Sequence, residues 1–143
     1  MQRGPPPSRQ AIAIGRQRAR MRRDFPGFEY TRDNHVPTWC GCLQPGETSS
    51  VYRLRIHYRF AGRRSKSPKV WAQSPTVSTD APHRYADGSL CLYYPRERSW
   101  TPHKYISETI VPWAAMWLAF YEVWLVTGQW FGPEAPHAGP KRR

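Results

Sequence analysis

The segment APHRYADGSLCLY, residues 81–93, sets the fold of this chain because it divides strand-like sequence before it from helix-like sequence after it. A cysteine, Cys91, begins a short apolar run just after the Asp-Gly turn of this segment. We expect its sulfur to project from a loop edge into a partly exposed, polar setting, as a reactive thiol requires. A buried core cysteine between Leu90 and Leu92 is the alternative, since free cysteine is often buried.

Strand signals precede this segment. Residues 51–60 alternate between apolar and mostly basic side chains, and a period of two predicts a strand with one apolar face. Residues 67–71 predict the start of a short strand, where a proline is tolerated. Brief extended pieces are expected within 28–43, interrupted at 35–37, and again at 90–94.

Helix signals lie at both ends of the chain. Residues 9–23 favour a basic helix with Ser8 as its N-cap. From about Ile106, apolar residues recur at three- and four-residue steps over a wide face, so this helix should be largely buried, and Gly128 ends it. The order of helix, strands, cysteine loop and helix is an α+β arrangement.

The apolar stretch at 110–126 also raises the question of a membrane. It contains Pro112 and Glu122, so we expect a core helix and no membrane span. A peripheral membrane role is the minor alternative.

Length and charge limit the organisation and the partners. The chain of 143 residues has the length of one domain. Residues 1–7 predict a flexible lead-in, 8–131 the folded domain, and 132–143 a proline- and glycine-rich basic tail. An aromatic content of 14% excludes disorder throughout. The net charge of +12 favours acidic partners.

The cysteines indicate a compartment. Three are too few for a disulfide framework, and no secretory signal is visible, so we expect a reducing cytoplasm. Cys40 and Cys42 are separated by one residue and are expected to be ordinary strand cysteines. A zinc site or a strained redox pair is the alternative for these two thiols.

Several motifs together resemble the ubiquitin-conjugating (E2) family. The resemblance covers residues 8–130 and is strongest over 67–102. The family's His-Pro-Asn tripeptide falls on 81–83, where this chain has Ala-Pro-His. Its Gly-x-Ile/Leu-Cys-Leu step falls on 88–92, and its Trp-Ser/Thr-Pro motif falls on 100–102.

This resemblance implies the α+β E2 fold: an N-terminal helix, a four-stranded antiparallel meander, an active-site loop and a C-terminal helix. The segment from His83 to residues 130–137 is similar to bacterial E2-like proteins of short type II CBASS, the cyclic-oligonucleotide antiphage signalling systems. It implies that Cys91 forms a thioester with the C-terminus of a cGAS-like nucleotidyltransferase (CD-NTase). The C-terminus is then transferred to an unidentified acceptor amine, and this transfer regulates antiphage signalling. Neither a cofactor nor a metal is expected.

The same resemblance selects further candidate residues around Cys91. His83 stands where the family has its asparagine and is a candidate oxyanion donor or base. A loop-capping histidine is the equal alternative. His103, Trp100 and Tyr93 are the candidates that support or line the site. Loop surface is the favoured alternative for His103, and a structural role is the favoured alternative for the two aromatic residues.

Partner binding is expected at the N-terminal helix, through Arg16, Arg20 and Arg23, since E2 proteins usually contact partners through this helix. The alternative function is a non-catalytic basic module that binds nucleic acid or a partner protein. No recognised nucleic-acid motif is present, so nucleic acid is not the expected partner. A Cys-His hydrolase is a third option, which lacks a clear third group to orient the histidine.

Overall fold

The structure, a computed structural model, describes residues 11–59, 68–92 and 100–133. Its elements in chain order are α1 (Ile14–Asp24), β1 (Glu29–Asp33), β2 (Val36–Leu43), β3 (Tyr52–His57), β4 (Lys69–Ser74) and α2 (Ile110–Thr127). The predicted α+β class is confirmed. The predicted lead-in at 1–7 and most of the predicted tail at 132–143 lie outside the described residues.

The four strands form one antiparallel sheet in the order β1-β2-β3-β4. β3 shows the predicted alternation, since Leu54 and Ile56 are fully buried while Arg53 is exposed. Burial of the apolar face of β3 against α2 and its neighbours supplies the main driving force for this packing.

The predicted interruption at 35–37 is only partly right. The turn between β1 and β2 lies at Asn34 and His35, whose φ angles of 55° and 67° are left-handed. β2 then begins at Val36 and continues through Pro37. Proline is tolerated there because its missing N–H falls near the start of the strand.

The first helix begins later than the sequence predicted. α1 starts at Ile14 rather than Arg9, and the preceding residue Ala13 is extended. The backbone N–H of Ile12 donates to the carbonyl of Pro102 over 2.9 Å. This long-range pairing takes the chain before Ile14 out of the helix, and Ser8 lies outside the described residues.

A buried glutamine attaches α1 to the segment before α2. Gln17 is fully buried, and its Nε2 donates to the Lys104 carbonyl over 2.9 Å. Its Oε1 accepts from the Ile106 backbone N–H over 3.0 Å. Both polar groups of the amide are therefore satisfied, as burial requires.

The second helix is only partly buried. α2 ends at Gly128 in a left-handed conformation (φ 76°), as predicted. Its buried positions stop at Tyr121, and the following turns expose Val123, Leu125 and Val126. The expectation of a largely buried helix is wrong for these last turns, because Tyr121 is the last residue of α2 that is buried in the core.

α2 also bears on the membrane question. Over 18 residues its mean hydropathy is 1.4, so by length and composition alone it is able to cross a bilayer. This is weak support for a span, because core helices of soluble proteins pass the same test.

Candidate active site at Cys91

The turn before Cys91 has the geometry that its Asp-Gly sequence predicts. Gly88 has a left-handed φ of 91°, and its N–H donates to the Tyr85 carbonyl over 2.9 Å. The Asp87 Oδ1 accepts from both the backbone N–H and the Oγ of Ser89, over 2.9 and 2.6 Å. The turn is therefore closed by its own side chains.

Strand β4 holds this turn from one side. The Lys69 Nζ lies 2.5 Å from Asp87 Oδ2, and the Trp71 indole N–H donates to the Asp87 carbonyl over 3.1 Å. Desolvation raises the pKa of Asp87, but hydrogen bonds from Lys69 and Ser89 outweigh it and lower that pKa to about 2. Asp87 is thus a carboxylate that fixes the turn on the sheet.

Helix α2 holds the same segment from the other side, through the carbonyl of His83. This oxygen accepts from the Cys91 backbone N–H and from the Trp117 indole N–H, each over 2.9 Å. His83 has a φ of 58°, in the left-handed region that few residues other than glycine adopt. The Cys91 backbone is therefore fixed relative to both β4 and α2.

Trp117 is a site residue that the sequence analysis missed. The apolar periodicity of 106–124 assigned it to the core, where it is indeed 4% exposed. Its second role is to donate the indole N–H to the His83 carbonyl. A signal for this role was available, because a buried indole N–H usually finds an acceptor.

Cys91 itself is more deeply placed than expected. The residue is 3% exposed, so the expectation of a partly exposed thiol is wrong. The reason is that its backbone bonds to His83 while Leu90 and Leu92, on either side, are buried in the core. These contacts draw the intervening residue inward.

Cys91 nevertheless lies beside open space. We call this space the Cys91 cleft, and with Cys91 it is lined by Trp113, Met116, Trp117, Phe120, Trp130 and Pro133. Its cavity volume of ≈ 10 Å³ is about enough for one water molecule. The setting is therefore aromatic and narrow, rather than polar as the sequence suggested.

The Trp130 ring closes one side of the cleft. Its centroid lies 5.3 Å from that of Trp117 and 5.1 Å from that of the His83 imidazole. The structure thus brings His83, the predicted oxyanion donor or base, to the residues that surround Cys91.

The other predicted supporting residues lie elsewhere or outside the described ranges. Trp100 is in the core, where its indole N–H donates to Thr109 Oγ1 over 2.9 Å. His103 is exposed, with Nε2 3.2 Å from Thr101 Oγ1. Neither is among the described residues that line the cleft, and Tyr93 lies outside the described residues.

The predicted partner-binding arginines all make contacts within the chain. Arg16 donates to the Tyr105 hydroxyl over 3.0 Å, and Arg20 contacts Glu108 Oε2 at 2.6 Å. Arg23 Nε lies 2.8 Å from Asp24 Oδ1. Their role toward a partner stays a prediction.

Cys40 and Cys42 lie on β2 as free thiols, the first half-buried and the second exposed. In the part of the chain that the structure describes, no three His, Cys, Asp or Glu side chains are grouped to hold a metal ion.

Comparison with known families gives one finding. A family model described as "Type II CBASS E2 protein" matches residues 17–138, which is the greater part of the chain and includes most of α1, the sheet, α2 and the Cys91 cleft. A search of curated proteins returned no match.

Proposed function

From the premise that this chain belongs to the family of type II CBASS E2 proteins, we propose that it is an E2-like conjugating enzyme with Cys91 as its nucleophile. Its substrate is the C-terminus of a CD-NTase, which it transfers to an acceptor amine. The observation that carries the proposal is the position of Cys91 on a cleft, at the end of a segment whose backbone is fixed by β4 and α2.

The reaction has two steps. In the first, the Cys91 thiolate attacks the carbonyl carbon of an activated C-terminus, the C–S bond forms, and the activating group leaves with its electron pair. In the second, the nitrogen of an amine attacks the thioester, the C–N bond forms and the C–S bond breaks. The thiolate is regenerated, and the proton of the amine passes to a base.

The hydrogen bonds limit which group stabilises the oxyanion. The Cys91 backbone N–H already donates to the His83 carbonyl. This N–H is therefore not free for the oxyanion, and we assign the role of donor to the imidazole of His83, beside the cleft residue Trp130.

The aromatic cleft has two consequences for this chemistry. Exclusion of water protects a thioester from hydrolysis. With room for about one water, the cleft also has to widen before a C-terminus reaches Cys91. Trp130 and Pro133 belong to the irregular segment after α2, so they move at less cost than Trp113 or Trp117 within the helix.

The test uses a peptide with the CD-NTase C-terminal sequence, activated as a small-molecule thioester, so that no activating enzyme is needed. We expect an adduct that free thiols cleave and that intact mass spectrometry locates on Cys91. Cys91→Ala should abolish it, and Cys91→Ser should give an ester that resists thiols. A full-length CD-NTase with its activating partner then tests the natural donor.

Cys42→Ala is the matched control, because Cys42 is an exposed thiol outside the cleft. It should form the adduct as the parent protein does. An adduct that persists in Cys91→Ala contradicts the proposal. Salt-dependent retention of DNA or RNA by a protein that forms no adduct would instead favour the basic binding module.

A further inference from the structure

A second cavity lies between α1 and the first two strands, apart from Cys91. We call it the arginine cavity; it is lined by Arg18, Arg22, Phe28, Tyr30 and Trp39. Its volume is ≈ 210 Å³, far larger than that of the Cys91 cleft, and the two share no lining residue.

The two arginines of this cavity differ from the other arginines of α1. Arg16, Arg20 and Arg23 contact a tyrosine hydroxyl or carboxylates of the same chain. No acidic side chain is among the described residues that line the arginine cavity. Arg18 and Arg22 therefore bring two positive charges to a space that no acidic side chain lines within 11–59, 68–92 and 100–133.

The spacing and the aromatic residues hold these charges in place. Arg18 and Arg22 are four residues apart on α1, so they lie on one face of the helix and repel each other. The Arg18 guanidinium lies 4.0 Å from the centroid of the Tyr30 ring, which fixes its plane. The Tyr30 ring in turn packs edge-on against buried Trp39, at 5.1 Å between centroids.

We infer that the arginine cavity binds a phosphate monoester. Two guanidinium groups match the charge of a dianionic phosphate, and their planar donors suit its oxygens in paired hydrogen bonds. A bound dianion also removes the repulsion between Arg18 and Arg22. The volume leaves room for the group that carries the phosphate, so a small molecule such as a nucleoside monophosphate fits.

This inference does not depend on the proposed thioester chemistry, since it concerns other residues and a binding event. Titration with inorganic phosphate, AMP and acetate, followed by calorimetry and by the fluorescence of the protein, tests it at physiological ionic strength. We expect phosphate and AMP to bind and acetate to bind at least about tenfold more weakly. A much higher affinity for AMP than for inorganic phosphate would show that the attached group is also recognised.

Arg18→Gln/Arg22→Gln should weaken AMP binding at least about tenfold, and Arg18→Lys/Arg22→Lys should retain part of it because the charge remains. Arg23→Gln/Arg53→Gln is the control: it removes the same charge from two exposed residues outside the cavity, and the affinity should change by no more than about twofold. Equal losses of AMP affinity in the two glutamine double variants would show that general surface charge causes the loss, and this would overturn the site. Equal affinity for acetate and AMP would overturn the phosphate assignment.

Discussion

At the scale of single residues, the hydrogen bond from the Trp117 indole to the His83 carbonyl can be tested by substitution. Trp117→Phe removes the indole N–H that donates to this oxygen and keeps an aromatic ring between Tyr121 and Trp130. We expect the free energy of unfolding in urea to fall by about 1 kcal/mol, the typical net value of one hydrogen bond. The rate of adduct formation at saturating donor should also fall, because the His83 carbonyl, which accepts from the Cys91 N–H, is then held by one contact fewer.

Trp124→Phe is the matched control, since Trp124 stacks on Tyr121 two turns further along α2. It should change stability through packing and leave the rate of adduct formation nearly unchanged. If both variants slow the adduct equally, Trp117 acts through the general packing of α2 and has no positioning role.

The same residues show what the sequence was able to predict here. Cys91 was identified from its turn and from the motifs around it. Its burial was not predicted, because Trp113 and Trp130, which line the cleft beside it, are more than twenty residues away in the chain. The Asp87-Gly88 turn was predictable because a local backbone requirement, the left-handed φ of Gly88, selects glycine.

At the scale of secondary-structure elements, Gln17 decides how α1 is attached. Gln17→Leu leaves the part-buried Lys104 carbonyl and the buried Ile106 N–H without their partner. Each unsatisfied buried group costs about 1–3 kcal/mol, so we expect stability to fall by about 2–5 kcal/mol. Urea unfolding measures the loss, and hydrogen exchange should locate it in α1 and at residues 104–106.

Gln44→Leu tests the same chemistry in an exposed place. The Gln44 Nε2 also contacts two carbonyls, those of Glu47 and Ser49, but the residue is exposed and water replaces these bonds. Its effect should stay within about 0.5 kcal/mol, as for most surface substitutions. Equal costs for the two variants would mean that burial does not determine the contribution of Gln17.

An element that the local sequence pattern determines was predictable, and a helix boundary that a distant contact determines was not. The alternation over 51–60 predicted β3 because half of its side chains face the core. The start of α1 was missed because Ile12 pairs with Pro102, ninety residues away in the chain. Sequence periodicity contains no information on such a pairing.

At the scale of the whole molecule, two titratable groups should give stability two separate responses to pH. Burial, and then the charge of Arg55, lower the pKa of His57 below its ordinary value of 6.5. The unfolded chain therefore binds this proton more tightly, and stability should fall as the pH drops through 6.5. The lowered pKa of Asp87, about 2 against 3.8, stabilises the fold above pH 3.8 and is lost between pH 3.8 and about 2.

Urea unfolding at a series of pH values separates the two responses. His57→Gln should flatten the upper decline. Asp87→Asn should reduce the lower one, to which Asp24 and Glu122 also contribute because their pKa values are lowered as well, and it weakens the contact of the turn with Lys69. His103→Gln and Asp80→Asn remove groups of the same kinds from exposed positions, and both declines should persist in them. An upper decline that survives in His57→Gln and disappears in His103→Gln would show that the response near neutral pH arises at the surface and not at the sheet.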